Sequence, residues 1–292
     1  MPESSYAMLS VDAALRLVLT HAPWLAPVRL PLRALAGRVL AAEIISTEAI
    51  PPFPAAAKDG YAVRAADGAG WRRLAGEQLA GYVGNVQVTP GSVVRITTGA
   101  PLPPGADAVV MIEQTQEKDG LVEIQTAVSV EADVRPAGID LHMGQRVLSP
   151  GQRLGPAEIG LLASLGHDVA LVFPAPRVAV LSTGDELREP GEALGPGQIR
   201  DSNRFSLMAA VQEAGGEPLD LGLAHDRPGE LEARVREGLQ LADTLVTSGG
   251  VSMGQLDLLK PLLENQGTVH FGRVNMKPVS YTHLTLPTSD LV

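Results

Sequence analysis

Apolar and polar positions change their rhythm along the chain, and each change marks a new kind of element. Over 10–22, SVDAALRLVLTHA, residues Leu15, Val18, Leu19 and Ala22 recur near helical spacing behind Ser10, which can cap a helix. The next stretch, PVRLPLRALAGRVLAAEI, is flanked by prolines and alternates between short extended and helical pieces. From about 46 to 135 the pattern becomes β-like. YAVRA, SVVRITTG, DAVVMIEQT and LVEIQTAVSV are separated by Gly, Pro and Asp turns. LGPAEIGLLASLGHDVALV then returns to helix followed by strand. Pro156 suits the first turn, Ile159, Leu162 and Ala163 face inward, and Gly166 is a natural stop. These periods predict a helical module in two parts, 1–45 and 136–175, interrupted by a β-rich module at 46–135.

After Pro176, apolar strand-like runs alternate with helical ones. RVAVLST, PLDLGLAH, TLVTSG and TVHFGRVNM read as strands. DSNRFSLMAAVQEAGG, RPGELEARVREGLQLA and GQLDLLKPLLEN read as the helices between them. The first is capped by Asp201 or Ser202, and the second carries Leu231, Val235 and Leu239 on one face. Such alternation predicts a doubly wound parallel α/β layer over 176–278. Right-handed crossovers put ligands at the carboxyl ends of its strands. Three strand ends there are rich in small polar or acidic residues: LSTGDEL at 181–187, LAHDRPG at 223–229 and VTSGGVSMGQLD at 246–257. One glycine-bearing loop after a strand is an ordinary turn; three on one sheet edge predict a binding edge.

Composition narrows what that edge could bind. The chain has 292 residues, 45% of them hydrophobic, enough for more than one core. Its 31 glycines and 23 prolines agree with a segmented, turn-rich architecture. The absence of cysteine excludes disulfides, thiolate nucleophiles and zinc–thiolate sites, and suits a cytoplasmic protein. The six histidines show no HxH or HxxxH pairing, which argues against a histidine metal site. A net charge of −10 argues against nucleic-acid binding but leaves room for a small anion in a local basic pocket. No apolar run approaches the ~18–20 residues of a membrane helix, and the opening MPESSYAM has no basic n-region. Neither membrane insertion nor a secretory signal is expected.

The loops above, together with KDGYAVRAAD at 58–67 and RITTGAPLPPGADAVVMIE at 95–113, closely resemble the MoeA/gephyrin family. STGDEL, DSN, TSGGVSMG and VHFGRVNMKP occur in the family's order and approximate spacing, from about residue 7 to Pro278. The resemblance implies a multidomain fold. A helical linker module interrupted by a β-rich module precedes an α/β molybdopterin-binding domain and a terminal β-barrel. It also implies an elongated homodimer with sites shared between subunits, and an adenylyltransferase partner in the same pathway. Two departures stand out. PAAAK at 54–58 replaces a more polar stretch before DGYA, and VSYTHLTLPTSDLV at 279–292 matches nothing expected of the family. The expectation is therefore a truncated α/β domain, an unrelated tail from Val279 and no β-barrel domain.

The reaction implied is molybdenum insertion. Adenylylated molybdopterin is cleaved with Mg²⁺ present, AMP is released, and molybdate delivers molybdenum to the dithiolene. A non-catalytic pterin-binding or scaffold protein is the alternative. Holding two anions and a cation calls for backbone N–H groups, hydroxyls, Lys or Arg, and carboxylates. Gly249, Gly250 and Gly254 permit close backbone approach to a phosphate, and Thr247, Ser248 and Ser252 can donate hydroxyls. Asp257 is either a metal ligand or a favourable charge at a helix start, and Asp226 either a metal ligand or a cap. Asp185 and Glu186 are adjacent carboxylates after a buried strand, Asp185 a metal candidate and Glu186 a catalytic one, with Thr183 and Gly184 beside them. Arg273 and Lys277, four apart on a predicted strand, face the same way and suggest an oxyanion pocket. Asp201 and Asn203 bond the pterin or cap a helix. Asp59, Thr98, Arg135 and Asp140 are carried over from DGYAVR, TTGAP and VRPAGID, with Arg135 as a binding residue and the others as catalytic.

Overall fold

A computed structural model describes residues 7–82, 84–225, 227–249 and 268–276. The chain divides into two compact units, Arg29–Val172, and Met1–Val28 joined with Phe173–Val292.

In the Arg29–Val172 unit, β-branched and alanine-rich runs build a six-stranded sheet. Its order is Ala108–Met111, Gly60–Val63, Ser92–Ile96, Gly70–Gln78, Leu121–Ile124, Thr115–Lys118. Neighbours are antiparallel except Gly70–Gln78 and Ser92–Ile96, which run parallel. Strand side chains alternate between faces, and here both faces are covered. Ala62, Val94, Ile96 and Val109 pack on one, and Tyr61, Val63, Val93, Val110 and Val122 on the other. Gly70–Gln78 has no counterpart among the predicted runs, because GWRRLAGEQ mixes charge and glycine. Its register slips between Leu74 and Glu77, where Gly76 has φ +149°.

A second core in this unit joins Leu35, Leu40 and Ile44, before the β-rich segment, to Leu148, Leu154, Leu162, Leu165 and Val172 after it. The Pro156–Ser164 helix contributes Leu162, with Ile159 and Leu161 partly buried. Ala163, expected to face inward, is exposed. On so short a helix the adjacent Leu161 and Leu162 turn the apolar stripe away from it.

In the other unit, three parallel strands stand in the order Glu217–Ala224, Arg177–Thr183, Thr244–Ser248. Ala179 and Leu181 of the central strand pack with Leu221 and with Leu231 and Val235 of the Pro228–Leu241 helix. Burying each such side chain contributes ~1.5–3 kcal/mol. Leu239, expected on the same face, is 55% exposed. The contact passes instead to Gly238, where a Cβ would stand 2.7 Å from Leu221 Cδ1. That close approach rotates the inward face by one residue. Ser182, on the opposite face of the central strand, bonds to Asp201 just before the Asn203–Ala214 helix. Helices therefore flank both faces, as in a doubly wound layer.

The Asn203–Ala214 helix has Ser202 at its N-cap with no side-chain cap bond, and Asp201 Oδ1 accepts from Arg204 N instead. The Val11–His21 helix is capped as expected, Ser10 Oγ accepting from Ala13 N at 3.2 Å. Leu15, Val18 and Leu19 on it are exposed, and Ala14 is its buried residue. The strand expected over TVHFGRVNM does not form among the described residues, which make a single parallel bridge, Val274 to Leu9. One bridge is too short a ladder to align Arg273 and Lys277 on one face, and Lys277 lies outside the described residues. So does the predicted helix GQLDLLKPLLEN.

Candidate functional site at the strand ends

With the Arg177–Thr183 strand central, the chain crosses from it to Glu217–Ala224 on one side, and from there to Thr244–Ser248 on the other. Loops diverge at such a switch point and leave a crevice at the carboxyl ends. Here the switch point lies between Thr183 and Ser248–Gly249. Gly249 has φ +92°, and a Cβ on it would meet Thr183 O at 2.6 Å and Thr183 Oγ1 at 2.9 Å. Glycine is required there on both grounds. Among the described residues Thr183 Oγ1 is buried without a hydrogen-bond partner, an uncommon state for a buried hydroxyl.

Gly184, with φ +148°, leaves space that the Glu186 carboxylate fills, 2.5–2.8 Å from where a Cβ would stand. No hydrogen bond or ion pair engages that carboxylate among the described residues. Asp185 is exposed and pairs with His225 at the end of the neighbouring strand, Oδ1 to Nδ1 3.2 Å. Asn203 Nδ2 donates to Ser248 Oγ at 2.9 Å, linking the first turn of a helix to the third strand end. Thr183, Gly184, Asp185, Glu186, Asn203, Ser248 and Gly249 thus gather on one sheet edge.

Asp201 belongs to the same edge but is buried, with both oxygens engaged. Oδ1 accepts from Ser182 Oγ and Arg204 N, and Oδ2 from Arg204 Nε at 2.9 Å. Arg204, 3% exposed, also donates to Asp220 Oδ1 at 2.6 Å and to both Glu189 oxygens at 2.7 Å. Burial would lower its pKa, but the bonds to Glu189, Asp220 and Asp201 outweigh that and raise it. The sequence reading missed Arg204, Glu189, Asp220 and His225. The available signal was an acid inside an apolar strand, Asp220 between Leu219 and Leu221, and an arginine in the first turn of a helix.

The remaining candidates lie in the other unit. Asp59 Oδ1 accepts from Thr98 N at 2.7 Å and from Thr98 Oγ1 at 2.9 Å. The backbone bond from Thr98, then its hydroxyl, hold the Asp59 carboxyl below the usual carboxylate range. Arg135 donates to Asp140, both half-exposed, and the Arg135 strand pairs with Ala55. Both pairs therefore border the 55–59 segment.

Gly250, Ser252, Gly254, Lys277, Asp226 and Asp257 lie outside the described residues, and Arg273 bonds to Leu9 through its carbonyl. Among the described residues no three His, Asp or Glu side chains assemble a metal site. No helix among them is long and apolar enough to cross a membrane.

The chain resembles known proteins along most of its length. A family model described as the MoeA N-terminal region (domain I and II) matches residues 9–166. Another, a probable molybdopterin binding domain, matches 179–289. That second range runs past Pro278, into the segment expected to lie outside the family. Gephyrin of Dictyostelium discoideum is 39% identical, covering 94% of this chain and 42% of that protein. Molybdopterin molybdenumtransferase of Haemophilus influenzae is 39% identical over 93% of this chain and 68% of its own length. The Bacillus subtilis protein of the same name is 37% identical, over 84% and 60%. The chain thus spans between 42% and 68% of these curated relatives. A crystal structure of a molybdopterin biosynthesis MoeA protein from Pyrococcus horikoshii superposes with a TM-score of 0.80 at 33% identity, over 93% of this chain and 70% of that one.

Proposed function

Because the chain belongs to the MoeA family of molybdenum-cofactor biosynthesis proteins, we propose that it inserts molybdenum from molybdate into adenylylated molybdopterin, with release of AMP. The observation that carries this is the meeting of Thr183 and Gly249 at the strand ends. Gly249 lies against Thr183 with no room for a side chain, and the buried Thr183 hydroxyl has no partner among the described residues. A phosphate oxygen would supply the missing acceptor, and glycine backbone lets its N–H groups approach. Ser248 and Asn203, bonded to each other at this edge, would contact the nucleotide or pterin, and Arg273 and Lys277 are proposed as contacts for molybdate or phosphate.

Cleavage forms a bond from a water oxygen to phosphorus and breaks the bridging P–O bond, with AMP as leaving group. Glu186, unengaged at the crevice, orients that water and takes its proton. Asp59, held ionised by Thr98, is an acceptor rather than a proton donor. With Thr98, Arg135 and Asp140 it serves the reaction from a second subunit of a homodimer. The expected metal ligands, Asp185, Asp226 and Asp257, are all carboxylates, a donor set suited to a hard cation such as Mg²⁺. Mg²⁺ would neutralise charge developing on the phosphate oxygens. An adenylyltransferase would supply the substrate.

The test is incubation of the purified chain with adenylylated molybdopterin, Mg²⁺ and molybdate. AMP release with formation of active cofactor is expected. Binding without AMP release would leave the non-catalytic pterin-binding protein, and no binding at all would sink both.

A further inference from the structure

We propose that Arg204 is a positioning residue that sets the 184–200 loop, and with it Glu186, against the strand ends, and that Asp201 acts with it as a strut rather than as a ligand contact. The inference rests on the reading of those strand ends as the pterin-nucleotide site.

Arg204 ties three separate pieces of chain together. Through Nε and its backbone N–H it binds Asp201, which in turn accepts from Ser182, one residue before Thr183. Through Nη1 it binds Asp220 in the neighbouring Glu217–Ala224 strand. Through Nη2 it binds both oxygens of Glu189, three residues past Glu186. A guanidinium offers its donors in a fixed planar fork, so satisfying three carboxylates at once fixes their relative directions. An ammonium carries the same charge without the fork.

The loop closes on itself at its base, where Leu187–Arg188 pairs with Ile199–Arg200. Glu189 lies just beyond that pairing. Its tether to Arg204 therefore holds the base of the loop to the start of the Asn203–Ala214 helix. The residue before Arg204 is Asn203, whose amide reaches Ser248. One buried cation thus sets Glu186 on one side of the crevice and Asn203 on the other. Asp201 is 2% exposed with both oxygens engaged by Ser182 and Arg204, which spends its carboxylate mainly inside the protein. The contact expected of it falls to Asn203.

The test uses Glu189→Gln and Arg204→Lys in the full chain, read by hydrogen exchange and by AMP release. Glu189→Gln keeps the buried Asp201–Arg204 pair and loosens the loop alone. Its amides at 184–200 are expected to exchange on the order of tenfold faster, the scale of a hydrogen bond to a charged group, with those of 177–181 unchanged. In AMP release kcat should fall on the order of tenfold while KM stays within about twofold, since the displaced group is the one acting on water. Glu189→Asp should recover part of the loss. Arg204→Lys should raise KM as well, because Asn203 is released too. Unchanged exchange at 184–200, or faster exchange spread evenly through 177–181, would overturn the proposal. So would an unchanged kcat in a chain whose wild type turns over. A wild type that releases no AMP defeats the functional reading instead, and the exchange arm then decides this one.

Discussion

Replacing Gly249 with alanine probes the crevice at its tightest point. The added methyl would stand 2.6 Å from Thr183 O and 2.9 Å from its Oγ1. The carbonyl is backbone of the central strand and cannot swing aside, so the strand ends must separate. Overpacking of this kind costs ~1–3 kcal/mol. The backbone adds to it, since φ +92° at a residue with Cβ costs a further ~1–3 kcal/mol. The midpoint, about 4 kcal/mol, corresponds to a nearly thousandfold rise in opening of the sheet. The assay is native-state hydrogen exchange at Ala179, Val180 and Leu181, which are fully buried in the central strand. Gly197 supplies the control, with φ +74° and nothing within 4 Å of its added Cβ. Gly197→Ala bears the backbone cost alone, ~1–2 kcal/mol and confined to the 184–200 loop, and should leave the exchange of the same amides unchanged. Equal exchange in the two variants would refute the claim that Gly249 is pressed onto Thr183.

Two further outcomes follow from titrating groups in the Arg29–Val172 unit. Asp59 has a depressed folded-state pKa, so its bonds to Thr98 stabilise above the unfolded carboxyl pKa and are lost as pH falls through the folded one. Carbon-detected NMR should give an Asp59 midpoint below the usual carboxylate range. Thr98→Val, which keeps the backbone donor, should move it only part of the way back; no movement would remove the hydroxyl from the account. Tyr61 is buried beside Glu117, its hydroxyl donating at 2.6 Å, and burial first, then Glu117, pushes its pKa up to about 12. Its contribution is complete below the unfolded value of ~10 and is lost as pH rises through the folded one, about 3 kcal/mol over that window. Urea midpoints from pH 9 to 12 should fall in wild type and much less in Tyr61→Phe; parallel curves would contradict the assignment.

What the sequence disclosed and what it withheld divide along a physical line. Local periodicity carried the strand–helix alternation from Arg177 to Ser248, because a buried central strand such as RVAVLST must be largely apolar on both faces. It carried the Ser10 cap for the same local reason. Gly70–Gln78 escaped because its position is fixed by neighbours on both sides, Ser92–Ile96 and Leu121–Ile124, rather than by its own pattern. Leu239 was misplaced because the depth to which Gly238 lets its helix sink is a tertiary quantity.

The same division runs through the site. Loop chemistry pointed to Thr183, Glu186, Asn203 and Gly249, but a polar residue in a loop has two possible uses, and its identity does not separate them. What separates them is whether its bonding capacity is already filled from within. Asp201 is filled by Ser182 and Arg204, partners 19 and three residues away. Among the described residues Thr183 Oγ1 is buried without a partner and the Glu186 carboxylate is unengaged. By that criterion Asp201 is structure, Thr183 and Glu186 are the groups left over for a ligand, and the arginine that makes the difference was invisible as chemistry because every one of its bonds is internal.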